Sequence, residues 1–186
     1  MFSTRCTTAL LVLMVLPVLS YGQDRYFTRT GELSFGCDTK MGDVQAVNRM
    51  ATSMFDTSTA SLEVSMLVKA FEFEKAAMQH QFNNELMESD LFPKATFTGR
   101  VLGLADGIFS KPDTLILLVA GDLTIHGKAR KVVERSQWVV GADGTVHAYC
   151  RFKVLLSDYD IRVPTLLKDV LSNEVEVLLA LDYEKL

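Results

Sequence analysis

The sequence predicts an all-β fold, an antiparallel barrel or sandwich of eight or nine strands with a single helix. Three observations carry that prediction. Most of the chain alternates apolar and polar residues with period 2, as half-buried strands do; Leu62, Val64, Met66 and Val68 alternate in this way with Glu63, Ser65 and Lys69. The period visibly changes once, between residues 78 and 99, where Met78, Phe82 and Leu86 fall four apart on one helix face. Finally, no βαβ alternation is present, and most strands follow one another through short turns.

Residues 1–22 stand apart from this pattern. Arg5 gives a basic start, Ala9 to Leu19 is an uncharged apolar run, and Ser20 and Gly22 suit the −3 and −1 positions of a cleavage site. The run of 11 residues is short of the roughly 20 a spanning helix needs. The expectation is a signal peptide cleaved after about Gly22, then one domain over residues 23–186, in the periplasm or secreted.

The elements follow in order. Residues 24–36 read as a strand, a turn at Gly31 and a second strand, with a connection through Gly42 and Asp43. A strand from Val47 to Phe55 ends in the polar cluster Asp56-Thr57-Ser58-Thr59. Ala60 to Phe71 is among the clearest strands, and the helix starts near Glu74 and is closed by Ser89-Asp90 and Pro93. Ala95 to Leu104 is the next strand, and Thr114 to Ile125 puts Leu115, Leu117, Val119, Gly121, Leu123 and Ile125 on one face. His126-Gly127 turns the chain into Lys131 to Val140, which carries the only tryptophan, Trp138. Gly141-Ala142-Asp143-Gly144 is a hairpin signal, followed by Val146, Ala148, Cys150, Phe152 and Val154 on one side and His147, Tyr149, Arg151 and Lys153 on the other. Residues 157–164 read as irregular, Pro164 to Leu171 as one or two helical turns, and Glu174 to Tyr183 as the closing strand.

The charge of the whole chain, 19 basic against 23 acidic residues, is an ordinary solubility charge. No basic cluster invites nucleic acid or an anionic membrane. Cys37 and Cys150 both sit on apolar strand parity; export permits a disulfide between them, and burial as two free thiols is the alternative. His80, His126 and His147 are isolated on a helix, a turn and a polar strand face, and no group has zinc-like spacing. Phosphate loops and nucleophile elbows are absent, so no catalytic residue, metal or cofactor is expected. Asp158 and Asp160 bracket Tyr159, but acids in an irregular loop are mostly surface charges.

The apolar inventory says more. Met66, Met78 and Met87 with Phe71, Phe73, Phe82, Phe92 and Phe97 concentrate near the helix. Methionine can line an adaptable cavity, although the same residues can simply fill a core. A barrel of about eight strands either fills its interior with side chains or holds one small ligand, and a helix across one end would be a lid or plug.

Three stretches carry a resemblance. Met87-Glu88-Ser89-Asp90-Leu91-Phe92-Pro93-Lys94-Ala95-Thr96-Phe97 resembles the entry to a central strand of the YceI-like family. Gly121-Asp122-Leu123-Thr124-Ile125-His126-Gly127 is similar to its Gly-Asp-Leu-Thr-Ile-x-Gly strand and turn. Ser157-Asp158-Tyr159-Asp160-Ile161 is similar to its Asp-Tyr/Phe-Gly-Ile loop, with Asp160 where glycine is common. Glycine there tolerates a backbone angle that aspartate adopts less readily.

The resemblance implies an extended, lipocalin-like antiparallel β-barrel with one α-helix covering one end, and a hydrophobic pore for a polyisoprenoid or similar long-chain amphiphilic lipid. It carries over no catalytic set. Strand parity then nominates Val64, Met66, Val68, Phe97, Leu117, Val119, Phe152 and Val154 as lipid-binding interior, and Phe71, Phe73, Met78 and Phe82 as the helix-side mouth. Lys94 and Arg100 are candidates to meet an anionic headgroup, and a homodimer is left open. Two readings compete with the lipid carrier: a non-catalytic interaction or structural module with a packed interior, and a lipid hydrolase or isomerase, which needs an acid, base or nucleophile facing inward. A pore-facing His147 would favour that third reading.

Overall fold

The computed structural model describes residues 25–37, 44–105, 107–163 and 172–186. The proposed signal segment and the helical turns over Pro164 to Leu171 lie outside the described residues. Strands β1 (Arg25–Cys37), β2 (Val44–Asp56), β3 (Ser61–Leu67), the two-residue β4 (Glu72–Phe73), β5 (Lys94–Leu102), β6 (Asp113–Ile125), β7 (Lys128–Val140), β8 (Val146–Leu155) and β9 (Glu174–Lys185) build one antiparallel sheet. Eight of them close up-and-down in the order β1-β2-β3-β5-β6-β7-β8-β9, and β9 returns to β1. Closure gives each of these eight strands a partner on both sides over at least part of its length. The short β4 attaches to β2 at Ala46–Phe73 and Val47–Glu72.

The alternating patterns become the inner and outer faces. Along β6, Leu117 and Val119 are buried while Ile116 and Leu118 are exposed. Residues 24–36 do not turn at Gly31, contrary to the sequence reading; β1 runs through it with shifted register between Thr28 and Leu33. Gly31 marks a close approach instead, since a Cβ there would lie 2.5 Å from Leu181 Cδ2 and 3.1 Å from the Ala51 carbonyl. Its missing side chain is what lets three strands pack at that point.

The core has two halves. At one end Phe55 and Trp138 are almost wholly buried, with ring centroids 4.9 Å apart. Tyr183 stacks on Trp138 at 5.8 Å and an interplanar angle of 6°. Phe109, from the β5–β6 loop, adds a ring 5.5 Å from Trp138. The Tyr183 hydroxyl reaches Ser53 Oγ at 2.8 Å, and Ser53 donates to the Glu63 carbonyl at 2.8 Å. Burial pushes the Tyr183 phenol far up.

At the other end Val68, Phe71, Phe82, Met87, Leu156, Tyr159 and Ile161 form the second half of the core. The single helix expected here is present, and its last turn is wound differently from the rest. It is an α-helix, α1 (Ala76–Gln81), that passes into a π-helical turn over Phe82–Leu86, with the Met87 amide donating to the Phe82 carbonyl at 2.9 Å. No residue of α1 is buried. The five-residue spacing turns Phe82 and Met87 inward together, which a strict four-residue stripe does not foresee. Asp160 stands at φ 56° and ψ 21°, the left-handed conformation that glycine would occupy most easily and aspartate tolerates. Cys150 is a free thiol.

Candidate functional site

Between the two core halves runs a cavity of about 170 Å³ with an almost wholly apolar lining. Its floor is the Trp138, Ala148 and Leu181 layer; its upper end is closed by Phe82, Leu86, Met87 and Ile161. On β7 the wall extends from Trp138 to Val132. Six residues at a rise of roughly 3.3 Å cover roughly 20 Å of strand, or about 15 Å of depth once the usual barrel tilt is allowed for.

Of the residues nominated from sequence, Val64, Met66, Val68, Phe71, Phe82, Phe97, Val119, Phe152 and Val154 are on the wall. Three are elsewhere. Leu117 shares the inward parity but is buried in the packed Trp138 half. Phe73 packs behind Phe82 with tilted rings, at 5.0 Å between ring centroids, and does not line the cavity. Met78 is half-buried on α1, before the π-turn carries the chain inward. Leu123 and Ile125, on the same face as Val119, were legible by the same parity; Met87 and Ile161 follow no period and were not.

The mouth is an aromatic cluster. The Phe82 ring lies 5.6 Å from Phe35, 5.5 Å from Phe71 and 5.0 Å from Phe73. Across the wall, Gly99 of β5 pairs with Gly121 of β6. Cβ atoms on these glycines would meet the Phe97 ring tip at 2.6 and 2.9 Å. The glycine pair thus makes a notch that the Phe97 ring covers.

Outside the mouth a more polar recess shares Leu86 and Ile161 with the cavity and is lined also by Glu85, Glu88, His126, Ser157, Asp160 and Arg162. Lys128 pairs with Asp160 at 2.8 Å, and with that partner the Asp160 carboxyl is held below the usual range. Lys94 and Arg100 do not reach this region: both are exposed on the outer face of β5, and Arg100 donates to the Thr59 carbonyl at 2.8 Å.

Few groups on the cavity wall can do chemistry. His147 is not pore-facing; its Nδ1 meets Asp182 at 2.6 Å on the outer surface. Ser136 faces inward but donates to the Leu117 carbonyl and accepts from the Trp138 indole. Burial, with Glu134 beside it, pushes the Cys150 thiol up to about 11, which removes it as a thiolate nucleophile near neutral pH. Thr96, Tyr149 and Glu134 also border the cavity, but its surface is almost wholly carbon; Glu134 lies between Val132 and Ser136, its carboxyl shifted upward by desolvation. Its parity with Trp138 was readable in the sequence and was passed over. Among the described residues no group of three or more His, Cys, Asp or Glu side chains could hold a metal.

Comparison with known proteins agrees with this architecture. No curated protein matches the chain. A polyisoprenoid binding domain from Saccharophagus degradans, implicated in plant cell wall breakdown, superposes with a TM-score of 0.75 at 14% identity, covering 87% of this chain and 98% of that one. BcnA of Burkholderia cenocepacia gives 0.67 at 16% identity, covering 83% and 96%. The YCEI protein of Campylobacter jejuni gives 0.57 at 16% identity, covering 81% and 89%. Identities this low speak for the fold alone. The YceI-like domain, however, matches residues 28–183, nearly the whole barrel, and the chain belongs to the YceI-like family.

Proposed function

We propose that this protein is an exported, non-catalytic lipid carrier that holds the tail of a polyisoprenoid or similar long-chain amphiphile inside its barrel. The observation that carries the proposal is the axial cavity, almost wholly apolar, floored by packed aromatic rings and closed at its upper end by Phe82 and Leu86. The similar fold of a polyisoprenoid binding domain supports it. Export rests on the character of residues 1–22.

Burial of apolar surface supplies the affinity. Each CH₂ removed from water contributes about 0.8 kcal/mol, so a tail of about a dozen carbons has enough gross driving force without polar contacts. The cavity of about 170 Å³ is smaller than the ~300 Å³ or more of a pocket for a drug-sized ligand. A long tail must therefore displace side chains. Met66, Leu86 and Phe97 are half-buried on the wall and have rotamers to change.

Solvent extraction of the purified protein, followed by mass spectrometry, is expected to release a prenyl or comparable lipid. Protein stripped of lipid should take up added prenyl lipid at about one molecule per barrel. Failure of both would remove the reading and favour a packed interaction module.

A further inference from the structure

The cavity ends at neighbouring residues of adjacent strands. On β7, β8 and β9 the deepest of them are Trp138, Ala148 and Leu181, which pair in one row across the sheet. The next inward residues, Val140, Val146 and Tyr183, are buried and do not border the cavity. On β6 it ends at Val119, with Leu117 already in the packed half.

The packing beneath this row is held in place. The Phe55 ring, fully buried, lies 4.9 Å from Trp138 and 5.6 Å from Phe109. Hydrogen bonds fix two further rings: the Trp138 indole N–H donates to Ser136 Oγ at 2.9 Å, and the Tyr183 hydroxyl meets Ser53 Oγ at 2.8 Å. Swinging either ring aside would cost a buried hydrogen bond as well as ring packing. The wall above is softer, since Met66, Leu86 and Phe97 are half-buried and apolar. A bound tail can therefore widen the cavity but not deepen it.

A fixed depth selects a length. From Trp138 to Val132 the wall is about 15 Å deep. An extended chain advances roughly 3.5 Å over its three backbone bonds per residue, or about 1.2 Å per bond. The cavity thus spans about a dozen main-chain carbons, or about three isoprene units.

We infer that the floor of Trp138, Ala148 and Leu181 measures the tail, so that about three isoprene units contribute to affinity and units beyond them do not. The tail enters end first, because an apolar floor offers a polar head no partner. Further units and the head lie outside Phe82, in water. This rests on the lipid reading above and sets its length class: a longer polyisoprenoid is held by its terminal units alone.

Binding of geraniol, farnesol and geranylgeraniol to the stripped protein, each below its solubility limit, tests the ruler. Farnesol should bind at least about tenfold more tightly than geraniol, since its third unit is buried. Geranylgeraniol should bind within about threefold of farnesol. Ala148→Leu, which fills the bottom of the cavity, should reduce the advantage of farnesol over geraniol to less than about threefold. Trp138→Ala, which opens the packed half, should make geranylgeraniol at least about tenfold tighter than farnesol; if that variant does not fold, Ala148→Leu decides. A floor that served stability alone would lower the melting temperature of the variants and leave the length profile unchanged. Wild-type affinity that is flat across the series or still climbs tenfold at geranylgeraniol, or a profile that Ala148→Leu does not alter, would overturn the ruler and leave the lipid reading standing. Binding of none of the three would overturn both.

Discussion

His126 Nε2 and the Glu88 carboxylate meet at 3.0 Å although 38 residues separate them in sequence. The same imidazole presents Nδ1 to the Tyr159 carbonyl at 3.3 Å, and the Phe92 ring lies 4.2 Å from it. One buried side chain thus joins the segment after the π-turn, the β6–β7 turn and the segment that follows β8. These are the three pieces of chain around the barrel mouth. Both hydrogen-bond partners are acceptors, so making both bonds at once takes a proton on each ring nitrogen.

Removing that junction should loosen the mouth before it unfolds the barrel. His126 occupies the left-handed region at φ 49°, so His126→Asn, which tolerates that conformation, isolates the loss of the ring. We expect a stability loss of about 1–3 kcal/mol. Hydrogen exchange should quicken around Leu91 and Phe92, whose amides bond to the Glu88 carbonyl, and around Ile161, while the β6–β7 ladder stays protected. Unchanged exchange at both segments would mean that His126 does not hold them.

Phe82 should matter for ligand retention beyond its contribution to stability. Phe82→Ala and Phe55→Ala each remove a buried ring and should each cost about 3–5 kcal/mol. Phe55 lies in the packed half, away from the cavity wall, whereas Phe82 closes the upper end. Lipid dissociation, followed after mixing with empty vesicles, should therefore quicken in Phe82→Ala and stay near wild type in Phe55→Ala. Equal loss from both would show that Phe82 is no lid.

Gly121 should resist any side chain. A Cβ there would lie 2.4 Å from the Thr98 carbonyl and 2.5 Å from Gly99 Cα, both backbone atoms of the paired strand. Gly121→Ala should cost about 1–3 kcal/mol by overpacking, measured by urea unfolding. Trimming Phe97 to Leu in the same chain should not restore it, because the main clash is with backbone and not with the ring.

The carboxyl of Asp56 gives the barrel a defined acid sensitivity. Its bonds from the Ser58 hydroxyl, the Arg25 guanidinium and the Thr59 and Ser58 amides hold it at about 2, burial opposing them. With an unfolded value near ~3.9, the folded state binds fewer protons between these two values. The contribution, about 2 kcal/mol, is complete above about pH 4 and is lost as pH falls through about 2. Asp56→Asn should be less stable than wild type at pH 7, and the difference should shrink between about pH 4 and 2. A difference independent of pH would assign the effect to packing.

What the sequence made legible follows from which forces are periodic. The inner faces of β3, β5, β6 and β8 could be read from alternation, because burial imposes period 2 on any strand with one wet side. Gly31 misled because glycine marks both turns and close approaches, and only the position of Leu181 tells them apart. The π-turn at Phe82–Leu86 was hidden because one extra residue per turn leaves no signature in so short a segment. Glu134 was legible by parity with Trp138, but a lone carboxylate in an apolar face reads as a surface residue until the wall around it is seen. Asp160 was the reverse case, since the resemblance marked the position as one favouring glycine and the backbone is left-handed there.

Asn48 holds the place where β3 leaves β2. It is fully buried. Its Nδ2 donates to the Leu67 carbonyl at 2.9 Å, and its Oδ1 accepts from the Met50 amide at 2.9 Å. The pairing of β2 with β3 stops at Thr52–Ser65, and β4 joins β2 only at Ala46 and Val47. The side chain therefore supplies backbone partners over the gap that the ladder leaves. Asn48→Leu should cost about 2–4 kcal/mol, because two buried backbone groups lose their partners. Its urea midpoint should fall with little change in slope. Asn48→Asp is the sharper test. An ionised carboxylate can still accept from Met50 but faces the Leu67 carbonyl acceptor to acceptor, at a fully buried position. Burial raises the folded pKa of such an aspartate, so its penalty is full at neutral pH and falls as pH drops toward ~3.9, where the protonated acid can donate to Leu67. Stability of Asn48→Asp relative to wild type should accordingly rise on acidification, and a deficit that did not change with pH would mean that Asn48 acts through its shape and not through its donor.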